Sequence, residues 1–284
     1  MRRRVGAALT QSLAGDAAAD RQRHLRGATE GSIHWFAPDR PIRRVHADAS
    51  MLVGGIRALL LQTLHPLAMA GVAEHSTYRT DPLGRLHRTG LFLGMTTFGT
   101  ADEAEAAVAR VRRVHQRVRG TLPDGRTYSA GDPDLLRWVH VAEADSFLRA
   151  HQRYGRSPLD QQGRDGYVED LALVGERLGV VDPPRSEADL CDQLAAFRPE
   201  LEGSKVAREA ARYVLLRPPL SLAARPAYGV LAAAAVGLMP RWTRWPLRLP
   251  YFPLAEATVV RAAGEGVTRA ARWVLAPVDE SASA

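Results

Sequence analysis

The sequence predicts an all-α protein, and three observations carry that prediction. Alanine and leucine abound while aromatic residues make up only 6% of the 284 positions, a composition that favours helices over strands. Apolar residues recur at spacings of three and four along several segments. No run alternates at period two for long enough to make a convincing sheet. With 46% apolar residues, the chain can bury a substantial core, and we read residues 31–275 as a single multi-helix domain enclosing a cofactor pocket.

The ends read differently. Residues 1–30 are rich in Arg, Ala, Asp and Gln with no apolar period, which predicts a flexible N-terminal arm. Its start, "MRRRVGAALTQSLAG", is a poor signal peptide because Thr10, Gln11 and Ser12 interrupt the apolar part. Residues 276–284, "APVDESASA", predict a disordered tail. A cytoplasmic location is the default expectation.

Between the ends the elements follow from caps and breaks. "DASMLVGGIRALLLQTLHPLAMAGVAEHS" begins at a plausible cap, Asp48, and carries Leu52, Ile56, Leu60 and Leu64 on a near four-residue beat. Pro66 is expected to kink or end this helix near His65, and Gly54, Gly55, Arg57 and Gln62 argue against a membrane span. In "TADEAEAAVARVRRVHQRVRG", Thr100 and Glu103 form a capping-box pattern. Val108, Val111, His115 and Val118 then mark an inward stripe, the arginines mostly occupy the outer faces, and Gly120 is expected to end the helix. Further helices are predicted at 132–152, 160–178, 186–198, 203–216, 226–239 and 254–274. The stretch 227–239 is apolar all round but short, so it reads as a core helix. "PRWTRWPLRLPYF" after it mixes Trp, Arg and Pro, either as a loop packing on the body or as an interfacial anchor for peripheral membrane contact.

Charge and cysteine content exclude several classes. The net charge is +7, but Lys205 is the only lysine and no basic run with interleaved aromatics stands out, so nucleic acid is not expected as a partner. A single cysteine, Cys191, excludes an intramolecular disulfide and any multi-cysteine metal site. The His-Glu-x-x-His, Gly-x-Ser-x-Gly, P-loop and Gly-x-Gly-x-x-Gly patterns are all absent.

What remains is a set of histidines and a basic cluster. Arg85, His87, Arg88 and Thr89 crowd "GRLHRTG" at the edge of an apolar run. One option is a two-His-one-carboxylate iron site drawn from His65, Glu74, His75 and His115. The other is haem, which needs an inward helical histidine, an apolar slot and polar or basic groups for its propionates and open face. His115, the "LFLGMTTF" run and the 85–89 cluster answer those needs.

At these residues the chain resembles a known family. "LLLQTLHPLAMAGVAEHSTYRTDPLGRLHRTGLFLGMTTFGTADEAEAAVARVRRVHQRVRG" resembles the rubber-oxygenase catalytic domain family, which includes latex clearing protein and the ER-bound oxygenase MpaB. The resemblance continues weakly through "YSAGDPDLLRWVHVAEADSFL", "GYVEDLALVGERLGV" and "GLMPRWTRWPLRLP", and covers most of residues 45–255. It implies an oxidoreductase that binds haem b and uses O2, with His115 as proximal iron ligand. The family's Arg-x-x-Lys-Thr signature matches Arg85, Arg88 and Thr89, with arginine where lysine stands in the family. A guanidinium stays protonated and is a very poor iron ligand, so Arg88 is not expected to bind iron. Arg85 and Thr89 are expected on the distal side, with His87 pointing elsewhere, and Glu74 as a candidate base. His65, His75 and His140 belong to the pattern, as hydrogen-bond partners of the groups around the iron or as contacts to the propionates. The implied substrate is a small, apolar, unsaturated molecule. The alternatives are a non-catalytic haem-binding or gas-sensing protein, and a cofactor-free membrane-surface helical protein built around residues 227–251.

Overall fold

A computed structural model describes residues 32–76, 81–218 and 220–275. The expected arm at 1–30 and tail at 276–284 lie outside the described residues. Almost everything within them is helical, so the fold is all-α.

The helices are α1 (Pro41–Ala47), α2 (Met51–Gln62), α3 (Pro66–His75), α4 (Pro82–Phe98) and α5 (Ala101–His115), followed by a short hairpin of β1 (Arg119–Thr121) and β2 (Thr127–Ser129). Then come α6 (Pro133–Tyr154), α7 (Gln161–Leu178), α8 (Glu187–Ala196), α9 (Lys205–Leu216), α10 (Arg225–Gly237) and α11 (Arg241–Leu247). A turn at Pro253–Ala255 runs through a π-helical stretch, Glu256–Val260, into α12 (Arg261–Leu275).

Local chemistry sets most of these limits. Thr100 accepts from the Glu103 amide while the Glu103 side chain accepts from the Thr100 amide, completing the expected capping box. Pro66 occupies the first turn of α3 with His65 at its N-cap, and the chain bends by 106° between α2 and α3. Proline lacks the amide that would continue α2, so the run splits where expected. Gly179, at φ 103°, ends α7 in the left-handed region that a side chain would resist.

Three expectations are corrected. The first long helix starts after Ser50 rather than at Asp48, whose carboxylate instead accepts from the Ser50 amide at 2.7 Å. The helix carrying His115 ends at that residue, and Gly120 lies in β1. A two-stranded antiparallel ribbon, Arg119–Thr121 against Thr127–Ser129, follows it. Three-residue strands are too short for any period-two signal to show.

The longest helix organises the core. Trp138, Ala142, Ala150 and Tyr154 of α6 pack into one cluster with Val53, Leu60 and Leu61 of α2, Ala207 and Ala211 of α9, and Ala234 and Ala235 of α10. Val141, Ala144, Phe147 and Leu148 of α6 pack into a second cluster with Ile42 and Val45 of α1 and Tyr167, Val168 and Leu171 of α7. The expected core helix at 227–239 is α10, with Leu231, Ala232, Ala234, Ala235 and Val236 buried. Among the described residues, no single helix is long and apolar enough to cross a membrane.

Candidate active site

Helices α3 to α6 bring most of the sequence-predicted residues into two groups, and His65 stands outside both. The first group lies at the junction of α3, α4 and the hairpin. Tyr128 of β2 is buried, and its hydroxyl donates to Glu74 Oε2 at 2.5 Å. The same hydroxyl lies 3.2 Å from His75 Nε2. Burial first, and then the Glu74 carboxylate, push the Tyr128 phenol up to about 12, so it stays a donor throughout the physiological range. One residue beyond His75, Ser76 Oγ accepts from the Arg85 guanidinium of α4. Glu74 and His75 therefore meet at Tyr128, the piece the sequence reading lacked, and Arg85 joins the same end of α3 through Ser76.

The hairpin ties this group to the helix of His115. Its first strand begins four residues after His115, the Val118 amide donates to the His115 carbonyl at 3.2 Å, and β2 packs on α3. His115 is half-buried at the last position of α5, below buried Val108 on the same stripe. Its Nδ1 is buried with no hydrogen-bond partner, and desolvation lowers its pKa. The imidazole is therefore neutral at physiological pH, with a ring nitrogen uncommitted to the fold.

The signature turn on α4 divides. Arg88 lies exposed against Asp81, the N-cap of the same helix, at 3.3 Å. Thr89 is exposed, whereas Arg85 is half-buried. His87, expected to point elsewhere, is the residue turned inward, with Nε2 buried and unpartnered.

The second group is centred on α6. His140 and Glu143 are three apart, so they share a face. Both are partly accessible to water, yet desolvation lowers His140 to about 4 and raises Glu143 to about 7. His140 Nε2 has no partner, and the ring sits against Gly175 of α7 at a distance where a Cβ would be 3.0 Å from it. Behind this face, buried His46 of α1 bridges Thr97 of α4 at 2.8 Å and Tyr167 of α7 at 3.3 Å. Neither Glu143 nor His46 was singled out from sequence. An acid beside His140 in the apolar run "VHVAEADSFL" was the available signal.

His65 stands apart. Its buried ring packs on Trp138 and Phe197 at centroid distances of 6.2 and 6.5 Å, and Glu200 Oε2 is 3.5 Å from Nε2. Desolvation, partly opposed by Glu200, lowers its pKa. No group of three or more His, Cys, Asp or Glu among the described residues is placed to hold a bare metal ion. The two-His-one-carboxylate site is thus not assembled from His65, Glu74, His75 and His115.

The all-helical body thus carries buried, unpartnered ring nitrogens on His87, His115 and His140 and a hydrogen-bonded Glu74–Tyr128–His75 cluster. Residues 43–275 match the family of the ER-bound oxygenase mpaB/B' and rubber oxygenase catalytic domain, and the chain belongs to that family of oxygenases. It is also 31% identical over 100 residues to an uncharacterized protein of Mycobacterium bovis and, equally, to one of Mycobacterium tuberculosis. That stretch is 35% of this chain and only 38% of each relative's length. No solved structure matches the chain significantly.

Proposed function

We propose that the protein binds one haem b through His115 and oxygenates a small, apolar, unsaturated substrate with O2. The observation that carries this reading is the neutral His115 imidazole at the end of α5, with Nδ1 buried and unpartnered, in a chain of an oxygenase family. An unpaired buried ring nitrogen costs free energy unless something takes it, and an unprotonated imidazole nitrogen of His115 is the form that would hold haem iron. The inward nitrogens of His87 and His140 fit the same reading, as groups able to hydrogen-bond a macrocycle's polar edge.

Haem b would supply the redox chemistry on O2; the chain supplies positioning and protons. Glu74 Oε2 is committed to the Tyr128 hydroxyl, which leaves Oε1 as the oxygen that accepts a substrate proton. Tyr128, held in turn by His75, fixes the orientation of that carboxylate, and Arg85 places a permanent positive charge on Ser76 at the end of the same helix. Arg88 pairs with Asp81 at the N-terminal turn of α4, in keeping with a guanidinium that does not ligate iron.

The test is optical. Protein purified or reconstituted with haem is expected to show a Soret band at one haem per chain, and His115→Ala to lose most of it. Oxygen uptake with short unsaturated hydrocarbons then separates the oxygenase from a haem carrier. A colourless protein that takes up no added haem would end this reading.

A further inference from the structure

We propose that the α11–α12 connection is a membrane-docking surface that seats the protein peripherally on an anionic lipid bilayer. Trp245 is 90% exposed, Leu254 83%, Val259 70% and Phe252 65%, with Tyr251 beside them. A solvated monomer scatters such residues singly and rarely gathers them in one short segment.

The loop does not expose them by being loose. Beneath it, the Arg244 guanidinium is only 4% exposed and donates to the carbonyls of Gly237 at 3.0 Å and Pro250 at 3.3 Å, and to Glu256 Oε1 at 2.6 Å. Glu256 Oε1 in turn accepts from the Phe252 amide at 3.1 Å. Pro246, Pro250 and Pro253 limit the backbone further, and Arg248 turns it at φ 55°, a region unfavourable for any residue with a Cβ. A free loop would fold its aromatics onto the body. This one is braced from below so that they stay out, an arrangement that needs a partner to justify it.

Charge says which partner. From Arg241 to Ala255 there is no acidic residue, and Arg241 and Arg248 are both exposed. The neighbouring Glu256 is consumed by Arg244. Arg241 also lies over the Tyr251 ring at 5.5 Å, which keeps that cation at the level of the aromatics. Tryptophan, tyrosine and arginine around leucine and phenylalanine match the layered polarity of a bilayer interface: an apolar tip, an amphipathic belt and cations at the phosphates.

Co-sedimentation of the full chain with vesicles tests this. Binding is expected with phosphatidylcholine vesicles containing phosphatidylserine, much less with phosphatidylcholine alone, and it should weaken as salt is raised. Trp245→Ala/Phe252→Ala/Leu254→Ala should bind about tenfold more weakly with an unchanged melting temperature, because all three side chains are exposed. Trp245→Phe should still sediment but lose much of the fluorescence quenching by brominated lipid. The proposal is overturned if the wild type ignores anionic vesicles or the triple variant binds them equally. It is also overturned if light scattering shows a wild-type dimer that the triple variant dissolves, since the surface then belongs to a second copy.

Discussion

Glu143 and His140 sit one turn apart on α6 and titrate in opposite senses. Glu143 moves from an ordinary 4.5 to about 7. As pH rises from 4.5 through 7 the unfolded chain releases this proton and the folded chain keeps it, so stability falls. His140, lowered to about 4, works the other way: acidification through 6.5 protonates the unfolded chain first, and stability falls towards low pH. Glu143→Gln is therefore expected to stabilise the apoprotein at pH 8 by about 2 kcal/mol, discounted for partial exposure, with no gain near pH 4. Urea denaturation at the two pH values checks it, and a gain that persists at pH 4 contradicts the desolvation account. Arg85 makes a different prediction. Arg85→Ala should keep the Soret band but lower oxygen-dependent turnover about 100-fold, because only its charge at Ser76, two residues beyond the proposed base Glu74, is lost. Full activity in that variant would remove Arg85 from the site.

At the scale of elements, the most extensive helix contact among the described residues is α2 against α6. A Cβ built on Gly54 would meet Phe147 Cδ1 at 2.6 Å and the Phe147 Cα at 3.1 Å. The ring can turn aside but the backbone cannot, so Gly54→Ala should push the helices apart and cost about 1–3 kcal/mol. Its neighbour is a built-in control. Nothing lies within 4 Å of a Cβ at Gly55, and Gly55→Ala should stabilise α2 by up to about 1 kcal/mol through helix propensity alone. Thermal unfolding of both variants decides whether close approach is the reason for Gly54.

Across the whole molecule, the last described helix is fastened to the first part of the fold. Arg272 of α12 donates from Nε to Asp48 Oδ2 at 2.8 Å and from Nη2 to Asp48 Oδ1 at 3.1 Å. Asp48 also accepts from the amides of Ser50 and Arg156. Burial alone would raise the carboxyl, but Arg272 and those amides hold it below its ordinary value. A lowered carboxylate contributes stability at neutral pH and loses it as pH falls through its folded pKa. Asp48→Asn is expected to cost about 3 kcal/mol at pH 7, since it leaves a largely buried guanidinium without its counter-charge. The deficit should shrink only as pH falls through the lowered folded pKa of Asp48, below its ordinary 3.8, where the wild-type carboxylate is itself protonated. A deficit that is constant with pH would assign the loss to packing instead.

The sequence alone determined what depends on neighbours within a turn or two. The Thr100–Glu103 cap, the break at Pro66, the helix limits near 133, 161, 205 and 225, and the signature from His65 to His115 were all legible, because hydrogen bonds along a helix span only four residues. The family followed from that same contiguous stretch. What only the tertiary structure decided is which side chains meet across long separations. Tyr128 reaches Glu74 from a strand too short to leave a pattern, and His46 joins Thr97 to Tyr167 across three helices. His87 rather than Thr89 faces inward on α4, because the rotation of a helix about its axis is fixed by the bodies packed against it. Glu143 acquires its raised pKa only from the depth at which α6 is placed between two clusters. Desolvation is a property of the whole surrounding volume, and no window of sequence contains it.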